Sequence, residues 1–163
     1  MSVWRHLAAI LLLPGVVAVA VPVLLLWRDG PQFSRLAVIG IPLIAVGLVL
    51  IVGTIRLFAS VGRGTLAPWD ATTRLVVSGP YRYVRNPMIT GVLLVLLGEA
   101  ASFQSLPVLL WFAVVFAVNA VYMPLVEEPG LERRFGDEYR TYKAHVPRWL
   151  PRTRPWSPEE TAR

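Results

Sequence analysis

Long uncharged stretches constrain this chain more than any other feature of its sequence. Leu7–Trp27 has 21 residues and Leu36–Ile55 has 20, and neither contains a charge. Ile89–Val126 extends for 38 residues with one acid, Glu99, and is interrupted by a few polar residues and Pro107. A helix that crosses a bilayer needs roughly 20 apolar residues, so the third stretch is long enough for two crossings joined by a tight turn. The sequence therefore predicts an all-α integral membrane protein with about four transmembrane helices, near 7–27, 36–56, 87–102 and 107–126, of which the third and fourth form a hairpin.

The composition agrees with a membrane protein and excludes several kinds of site. Charged residues make up 16% of the chain and the mean hydropathy is +0.57, whereas soluble domains contain about 25% charged residues. The absence of cysteine and the presence of only two histidines exclude disulfides and thiolate ligands, and we expect no metal site. The glycines around Arg63 do not form a dinucleotide fingerprint, because the third glycine and a preceding strand are missing.

The positions of the basic residues predict the orientation of the chain. The four-span arrangement places 14 of the 16 Lys and Arg residues on the side of the termini and only Arg28 and Arg35 on the other side. By the positive-inside rule, both termini are then cytoplasmic. We therefore expect a multi-pass protein of the plasma membrane whose basic face meets the anionic headgroups of the lipid bilayer. Because topology accounts for the charge, no nucleic-acid partner is expected.

The first stretch also has a second interpretation. Arg5, the apolar residues after it and the small residues Ala18 and Ala20 are typical of a cleavable signal peptide. The apolar run continues seven residues beyond Ala20, to Trp27, and this length favours a span that is retained in the mature protein.

Two polar segments lie on the cytoplasmic face in this arrangement. Residues 59–86 are too polar to cross the bilayer and too rich in aromatic residues for a free linker, so we expect a re-entrant or interfacial loop. The second segment begins at Glu127, and its apolar residues recur at spacings of 4, 4 and 3. This predicts an amphipathic helix over 128–144 that caps the bundle and is weakened at Gly136. We expect one membrane-embedded domain over residues 1–151 and a disordered tail over 152–163.

The hairpin brings these two segments to the same face. Asn86 and Pro87 are typical of a helix N-cap and a first helical position. This positive helix end, beside Arg82 and Arg85, favours an anionic group, although the arginines could equally contact lipid phosphates only.

Two adjacent acids end the fourth predicted span. Glu127 and Glu128 stand where a helix C-terminus is negative, a locally unfavourable position for acids that often marks function. The alternative is that they pair with Arg82, Arg85 or Arg134.

Two polar residues inside the spans have structural interpretations. An acid within a span, such as Glu99, is a functional candidate by default. Its depth, away from the cytoplasmic face, favours instead a pairing with a loop arginine or a protonated carboxyl. Asn119 in the fourth span is expected to form an interhelical hydrogen bond.

Two motifs, in this order, resemble those of one family. Residues 79–88, GPYRYVRNPM, resemble the G-x-Y-x-x-x-R-[HN]-P motif of integral-membrane methyltransferases. Residues 127–142, EEPGLERRFGDEYRTY, resemble their E-E-x-x-L-x-x-x-F-G-x-x-Y-x-x-Y signature. The chain thus resembles the isoprenylcysteine carboxyl methyltransferases and the related phospholipid methyltransferases over residues 36–151.

The resemblance implies an enzyme that takes S-adenosylmethionine from the cytosol and methylates a lipophilic small molecule or lipid-modified acceptor delivered by the bilayer. It implies three catalytic candidates: Arg85 and Asn86 receive the cofactor carboxylate, and Glu127 binds its ammonium or ribose. The tyrosines cover the adenine or face the sulfonium. The implied cofactor-binding residues are Thr73, Arg74, Leu75, Val76, Tyr81, Tyr83, Arg85, Asn86, Pro87, Met88, Ile89, Glu127, Glu128, Tyr139 and Tyr142.

The chain departs from the family pattern at three positions. Asn86 replaces the more usual His, Ile89 stands where a Tyr is usual, and Met123 stands where the carboxyl methyltransferases have an Arg that would meet the substrate. Met123 and Asn119 are the candidate substrate-facing residues. Carboxyl O-methylation is the favoured reaction. The alternatives are N-methylation of a phospholipid or amine, and a non-catalytic membrane protein that keeps the fold to bind lipid or a partner.

Overall fold

The computed structural model describes residues 11–57, 60 and 75–157, and every regular element within these ranges is helical. The prediction of an all-α fold is therefore confirmed for this part of the chain. Helix α1 is π-helical over Leu11–Ala20 and α-helical over Val21–Asp29. The other helices are α2 (Ala37–Leu57), α3 (Pro87–Phe103), α4 (Leu106–Tyr122), α5 (Glu128–Phe135) and α6 (Asp137–His145).

Helices α2 and α3 make the most extensive helix–helix contact of the bundle. Glycines spaced seven residues apart on each helix face each other, Gly40 against Gly98 and Gly47 against Gly91. A Cβ atom added to Gly47 would lie 2.5 Å from the carbonyl oxygen of Gly91, so the two backbones touch. Such close approach is typical of helices in membranes, where association depends on van der Waals packing between small residues.

A two-residue turn joins α3 to α4. Gln104 adopts the left-handed conformation (φ 45°, ψ 38°), and its N–H donates back to the carbonyls of Ala100 and Ala101, which ends α3. Ser105 then caps α4 by accepting a hydrogen bond from the N–H of Val108. Because the connection is so short, the two helices are antiparallel neighbours. The beginning of α3 and the end of α4 therefore lie at the same end of the bundle.

Helix α1 packs against the same bundle. Ala18 is buried in a core cluster with residues of α2, α3 and α4. The indole Nε1 of Trp111 donates a hydrogen bond to the carbonyl of Val17 at 2.9 Å. In a π-helix that carbonyl would accept from residue 22, which is Pro22 and has no N–H. Trp111 thus gives this carbonyl a donor in place of the N–H that Pro22 lacks.

The end of the hairpin differs from the prediction. Helix α4 does not stop at Val126 but continues through a π-helical turn, Met123–Glu127, directly into α5. Pro124 explains the wider turn, because it lacks the N–H that a regular α-helix needs there. The expected single helix over 128–144 is also wrong: Gly136, at φ 55°, separates α5 from α6. Glu127 and Glu128 consequently lie within a continuous helix and not at a helix C-terminus.

Two helices of the described part are long and apolar enough to cross a membrane, Ala37–Leu57 and the continuous helix Leu106–Phe135. The helices Pro14–Arg28 and Pro87–Phe103 are apolar but shorter. They correspond to the first and third predicted spans, of which the first begins at residue 7, outside the described residues.

The predicted disordered tail is wrong for its first six residues. Residues 152–157 fold back onto the loop before α3, and Trp156 is only 2% exposed. The N–H of Trp156 donates to the carbonyl of Arg82 at 2.9 Å. An aromatic residue near the end of the chain can be buried in this way, which the polar composition of the tail did not indicate. Residues 158–163 lie outside the described part.

Candidate functional site

The loop before α3, residues 78–86, carries the first motif and is called the site loop below. A 3-10 turn, Gly79–Arg82, starts it, with Gly79 at φ 55°. Asn86 is the N-cap residue and Pro87 follows in the first turn, as predicted. The Asn86 side chain makes no capping hydrogen bond, while its carbonyl accepts from both the N–H and the hydroxyl of Thr90. The side-chain amide of Asn86 is therefore not used for capping.

Glu128 is the common ion-pair partner of three cations. It is 3% exposed, and Arg85 Nη1 lies 2.9 Å from its Oε1. Arg148 donates to both carboxylate oxygens, at 2.6 and 3.0 Å, and Lys143 Nζ lies 3.3 Å from Oε2. These four residues, the ion cluster, come from the site loop, α5, α6 and the chain beyond α6. A buried carboxylate is tolerated only with such partners, so Glu128 joins four separate parts of the structure.

The ion cluster decides between two interpretations of the acids and arginines. Glu128 pairs with Arg85, which is the alternative that the sequence left open. The Arg85 side chain is 10% exposed and is held by this ion pair, although neither its Nε nor its Nη1 makes a hydrogen bond. The hydrogen bond with Glu128 raises the pKa of Arg148. The hydrogen bond to Glu132 is the main cause that raises the pKa of Lys143.

Glu127 has a different environment from its neighbour. It is half-buried, and no cation of the described residues lies within ion-pair distance of it. Its negative charge is one of the causes that raise the pKa of the Tyr81 phenol, after burial and Tyr142. The two adjacent acids thus differ: Glu128 is paired with three cations, whereas Glu127 has no cation partner among the described residues.

Three tyrosines pack between the site loop and α6. The hydroxyl of Tyr142 donates to the carbonyl of Tyr81 at 2.7 Å, and the rings of Tyr139 and Tyr142 are 6.1 Å apart. Burial raises the pKa of Tyr142, helped by Tyr139 and opposed by the charge of Arg85. Burial and the charge of Glu128 likewise raise the pKa of Tyr139. All three phenols are therefore held in the neutral form.

The remaining predicted cofactor residues are more dispersed. Ile89 packs against the core of the helix bundle, whereas Leu75 packs against the tyrosine cluster. Tyr83 is the most exposed of these side chains, at 36%. Thr73 and Arg74 lie outside the described residues. The structure places the others in or beside the site loop: Val76 and Pro87 are buried, and Met88 is half-buried.

The two candidate substrate residues lie on α4 and the π-helical turn after it. Met123 is 3% exposed and precedes Glu127 by about one helical turn. Asn119 donates to the carbonyl of Val115 at 2.8 Å. This bond lies within one helix, and the expected interhelical hydrogen bond of Asn119 is not found among the described residues. Its donor is satisfied locally, as is common for polar side chains in helices.

Glu99 does not belong to this site. It lies in the last part of α3, far along the helix from Asn86. Its Oε2 is buried without a hydrogen-bond partner, and among the described residues it forms no ion pair with an arginine. The predicted pairing with a loop arginine is therefore not found in this part of the chain.

Sequence reasoning missed the contribution of the chain beyond α6. Arg148 and Trp156 lie outside both motifs, yet they contact the ion cluster and the tyrosines. The only signal was the run Val146-Pro147-Arg148-Trp149-Leu150-Pro151, in which prolines separate residues suited to packing. Within the described residues, no group of three or more His, Cys, Asp or Glu side chains is arranged to hold a metal ion.

Comparison with known proteins identifies the family of the chain's central region. The family model described as "Phospholipid methyltransferase" matches residues 36–138, which is more than half of the chain and includes α2, the site loop, α3, α4 and α5. No curated protein and no solved structure matches the chain at a significant level. The matched region ends before Lys143, Arg148 and Trp156.

Proposed function

The chain belongs to the phospholipid methyltransferase family, and we propose that it transfers a methyl group from S-adenosylmethionine to a lipophilic acceptor that reaches the site through the bilayer. Family membership implies a membrane methyltransferase. The cofactor, the acceptor and the residues that bind them are the proposed part.

The observation that carries the proposal is the separation of the two acids. Glu128 is surrounded by Arg85, Lys143 and Arg148, whereas Glu127 has no cation partner among the described residues. A half-buried carboxylate next to a polar loop is suited to bind an ammonium group or a ribose diol. Both groups occur in S-adenosylmethionine, and so the residues fit this cofactor.

Several residues of the site loop complete the binding site. Asn86 has a side-chain amide that is not used for capping, at the N-terminal end of α3, where N–H groups favour a carboxylate. Tyr81, in the same loop, supplies an aromatic ring that is suited to adenine or sulfonium. Arg85 acts by holding Glu128 and adds positive potential near the carboxylate position. Bound S-adenosylmethionine supplies an electrophilic methyl group, and the protein contributes proximity and alignment of the acceptor.

The apolar surface supports a protein embedded in the bilayer with four spans. Large apolar side chains on α2, on α4 and on the π-helical turn after α4 are exposed, among them Val38 at 75%, Val49 at 71% and Leu125 at 69%. On a soluble protein such continuous apolar faces are unusual. We propose that α1 and α3, the shorter apolar helices, also cross the membrane. The basic residues then place the site and both termini on the cytoplasmic side.

The charges of the site bear on the chemistry of the acceptor. Carboxyl O-methylation is favoured by the resemblance to the isoprenylcysteine enzymes. However, Arg85 is paired with Glu128, and buried Met123 stands where those enzymes have an Arg. The cations of the ion cluster are already paired with Glu128, so they are not available to a carboxylate acceptor, whereas an amine needs no such cation. N-methylation of a lipid amine is therefore the second candidate, supported by this specific arrangement.

Calorimetric titration with S-adenosylhomocysteine tests the cofactor. Purified protein in detergent is expected to bind it, and Glu127→Gln is expected to weaken binding by roughly 1.5–3 kcal/mol, because a charged hydrogen bond is lost. Glu138→Gln, on the exposed surface of α6, is the matched control and should bind as the wild type does. Failure of well-folded wild-type protein to bind would reject the enzyme and leave the non-catalytic alternative.

Labelled methyl transfer in lipid vesicles then identifies the acceptor class. Vesicles containing phosphatidylethanolamine offer an amine, and vesicles containing an N-acetylated prenylcysteine offer a carboxylate. A methyl ester releases labelled methanol in mild base, whereas an N-methyl group does not. Base-labile label would identify O-methylation, and base-stable label in the lipid fraction would identify N-methylation.

A further inference from the structure

Residues 146–157, the C-terminal segment, lie along the site loop in the opposite direction. Three main-chain hydrogen bonds of 2.9 Å join them, and the segment both accepts and donates. Arg85 N–H donates to Pro147, Arg152 N–H donates to Tyr83, and Trp156 N–H donates to Arg82. The order of the partners is that of an antiparallel pair. The C-terminal segment thus binds the main chain of three residues in the second half of the site loop.

Side chains reinforce this pairing at both ends. Trp156 stacks on His145, with ring centroids 5.5 Å apart, and contacts Tyr142 at 5.8 Å. Tyr142 in turn donates to the carbonyl of Tyr81. At the other end Arg148 binds Glu128, which holds Arg85. The C-terminal segment therefore contacts the site loop directly and also supports the residues that hold it.

We propose that the C-terminal segment is a positioning element of the cofactor site, in which Arg148 and Trp156 fix the site loop against α5 and α6. Without the segment, the carbonyls of Arg82 and Tyr83 and the N–H of Arg85 lose their partners. A short loop with unsatisfied backbone groups opens easily to solvent. Tyr81 and Asn86 would then lose their fixed position relative to Glu127.

The hydrogen bonding of Trp156 shows how its side chain supports the site loop. Its Nε1 is buried without a hydrogen-bond partner, as is Nη1 of Arg152. The indole therefore acts through its packing and its backbone, and not through its N–H. Trp156→Phe keeps most of that packing and removes the unsatisfied donor, whereas Trp156→Ala leaves a cavity. The two substitutions separate packing from hydrogen bonding.

Two readouts on chains of different length test the proposal. One chain ends at Pro151 and lacks Arg152 and Trp156, and the control chain ends at Ser157 and keeps the segment complete. Hydrogen exchange of the amides of residues 81–86 is expected to become at least tenfold faster in the shorter chain only. Its affinity for S-adenosylhomocysteine is expected to fall at least tenfold, while the control chain matches the full-length protein. Trp156→Ala should reproduce both effects in the full chain, and Trp156→Phe should reproduce neither.

The affinity readout rests on the proposed function, but the exchange readout does not. If wild-type protein binds no S-adenosylhomocysteine while removal of the residues after Pro151 still exposes residues 81–86, the cofactor proposal fails and the positioning role stands. Unchanged exchange at 81–86 in both the shorter chain and Trp156→Ala would overturn the positioning role. Faster exchange with unchanged affinity would also overturn it, because the segment would then stabilise the loop without positioning the site.

Discussion

Arg148 donates to Glu128 from 20 residues further along the chain, through Nε at 2.6 Å and Nη2 at 3.0 Å. This bidentate pair adds geometric specificity to charge, and it fixes the chain after α6 to the start of α5. Since Glu128 also faces Arg85 and Lys143, its carboxylate neutralises cations that would otherwise repel each other.

Glu128→Gln should therefore destabilise the protein. We expect a loss of roughly 1.5–3 kcal/mol in the free energy of unfolding, at the lower part of the range for buried pairs because Arg148 and Lys143 are partly exposed. Denaturant titration in detergent measures this loss. Glu138→Gln, on the surface, should change stability by less than about 0.5 kcal/mol. Equal stability of the two variants would show that Glu128 is not the centre of the ion cluster.

Asn86→Ala should separate binding from stability. The Asn86 side chain makes no capping hydrogen bond, so its removal should leave the thermal midpoint almost unchanged. If the amide binds the cofactor carboxylate, the affinity for S-adenosylhomocysteine should fall by about 1–2 kcal/mol. Calorimetric titration and a thermal scan on the same preparation give both values. A lower thermal midpoint with unchanged affinity would assign Asn86 to the helix start alone.

Gly47→Ala should be destabilising, although alanine is normally the better helix former. Its Cβ would lie 2.5 Å from the carbonyl oxygen of Gly91, and backbone cannot move aside as a side chain can, so we expect a cost of about 1–3 kcal/mol. Gly53 lies in the same helix, and a Cβ added there meets nothing within 4 Å. Gly53→Ala should therefore be neutral or stabilising. Thermal midpoints that shift alike in the two variants would contradict the close α2–α3 contact.

The buried tyrosines predict loss of stability at alkaline pH. Burial raises the pKa of Tyr81, Tyr139 and Tyr142 above the ordinary value of 10.0. Below pH 10.0 both folded and unfolded chains keep these phenols protonated, so the stability is fully present. Above it the unfolded chain releases protons first, and stability falls as the pH rises towards the folded pKa values. Phenolate absorbance should then appear together with unfolding, with Tyr142→Phe showing a weaker alkaline effect. Ionisation of all five tyrosines close to the ordinary pKa, in protein that stays folded, would disprove this alkaline loss of stability.

The sequence was informative where pattern and period determine the structure. Uncharged length predicted the helices, and Asn86-Pro87 predicted the start of α3, because capping and proline geometry are local. The two motifs also pointed to the regions that the structure brings together as the site. Local rules therefore identified the elements, and they placed both motifs in regions that the structure brings together; that these regions bind the cofactor stays a prediction.

The sequence was uninformative where contacts between residues far apart in the chain determine the structure. Glu127 and Glu128 are adjacent and chemically identical, and only the positions of Arg85 and Arg148 separate them. The fold of residues 152–157 depends on a single buried Trp156 that meets His145 and Tyr142. The helix end expected at Val126 was wrong because a π-helical turn absorbs Pro124. None of these features has a periodic signature.

Trp111→Phe should weaken the docking of α1 on the bundle. The hydrogen bond from Nε1 to the carbonyl of Val17 satisfies a group that Pro22 leaves without a donor, and a buried carbonyl without a partner costs about 1–3 kcal/mol. Trp27→Phe is the control, since Trp27 is 78% exposed and should have no effect. Protease accessibility of α1 in detergent measures the docking directly. Faster cleavage in Trp111→Phe alone would support a first helix that is a retained part of the core. Equal cleavage in the wild type, Trp111→Phe and Trp27→Phe would contradict that packing and favour the signal-peptide interpretation of the first stretch.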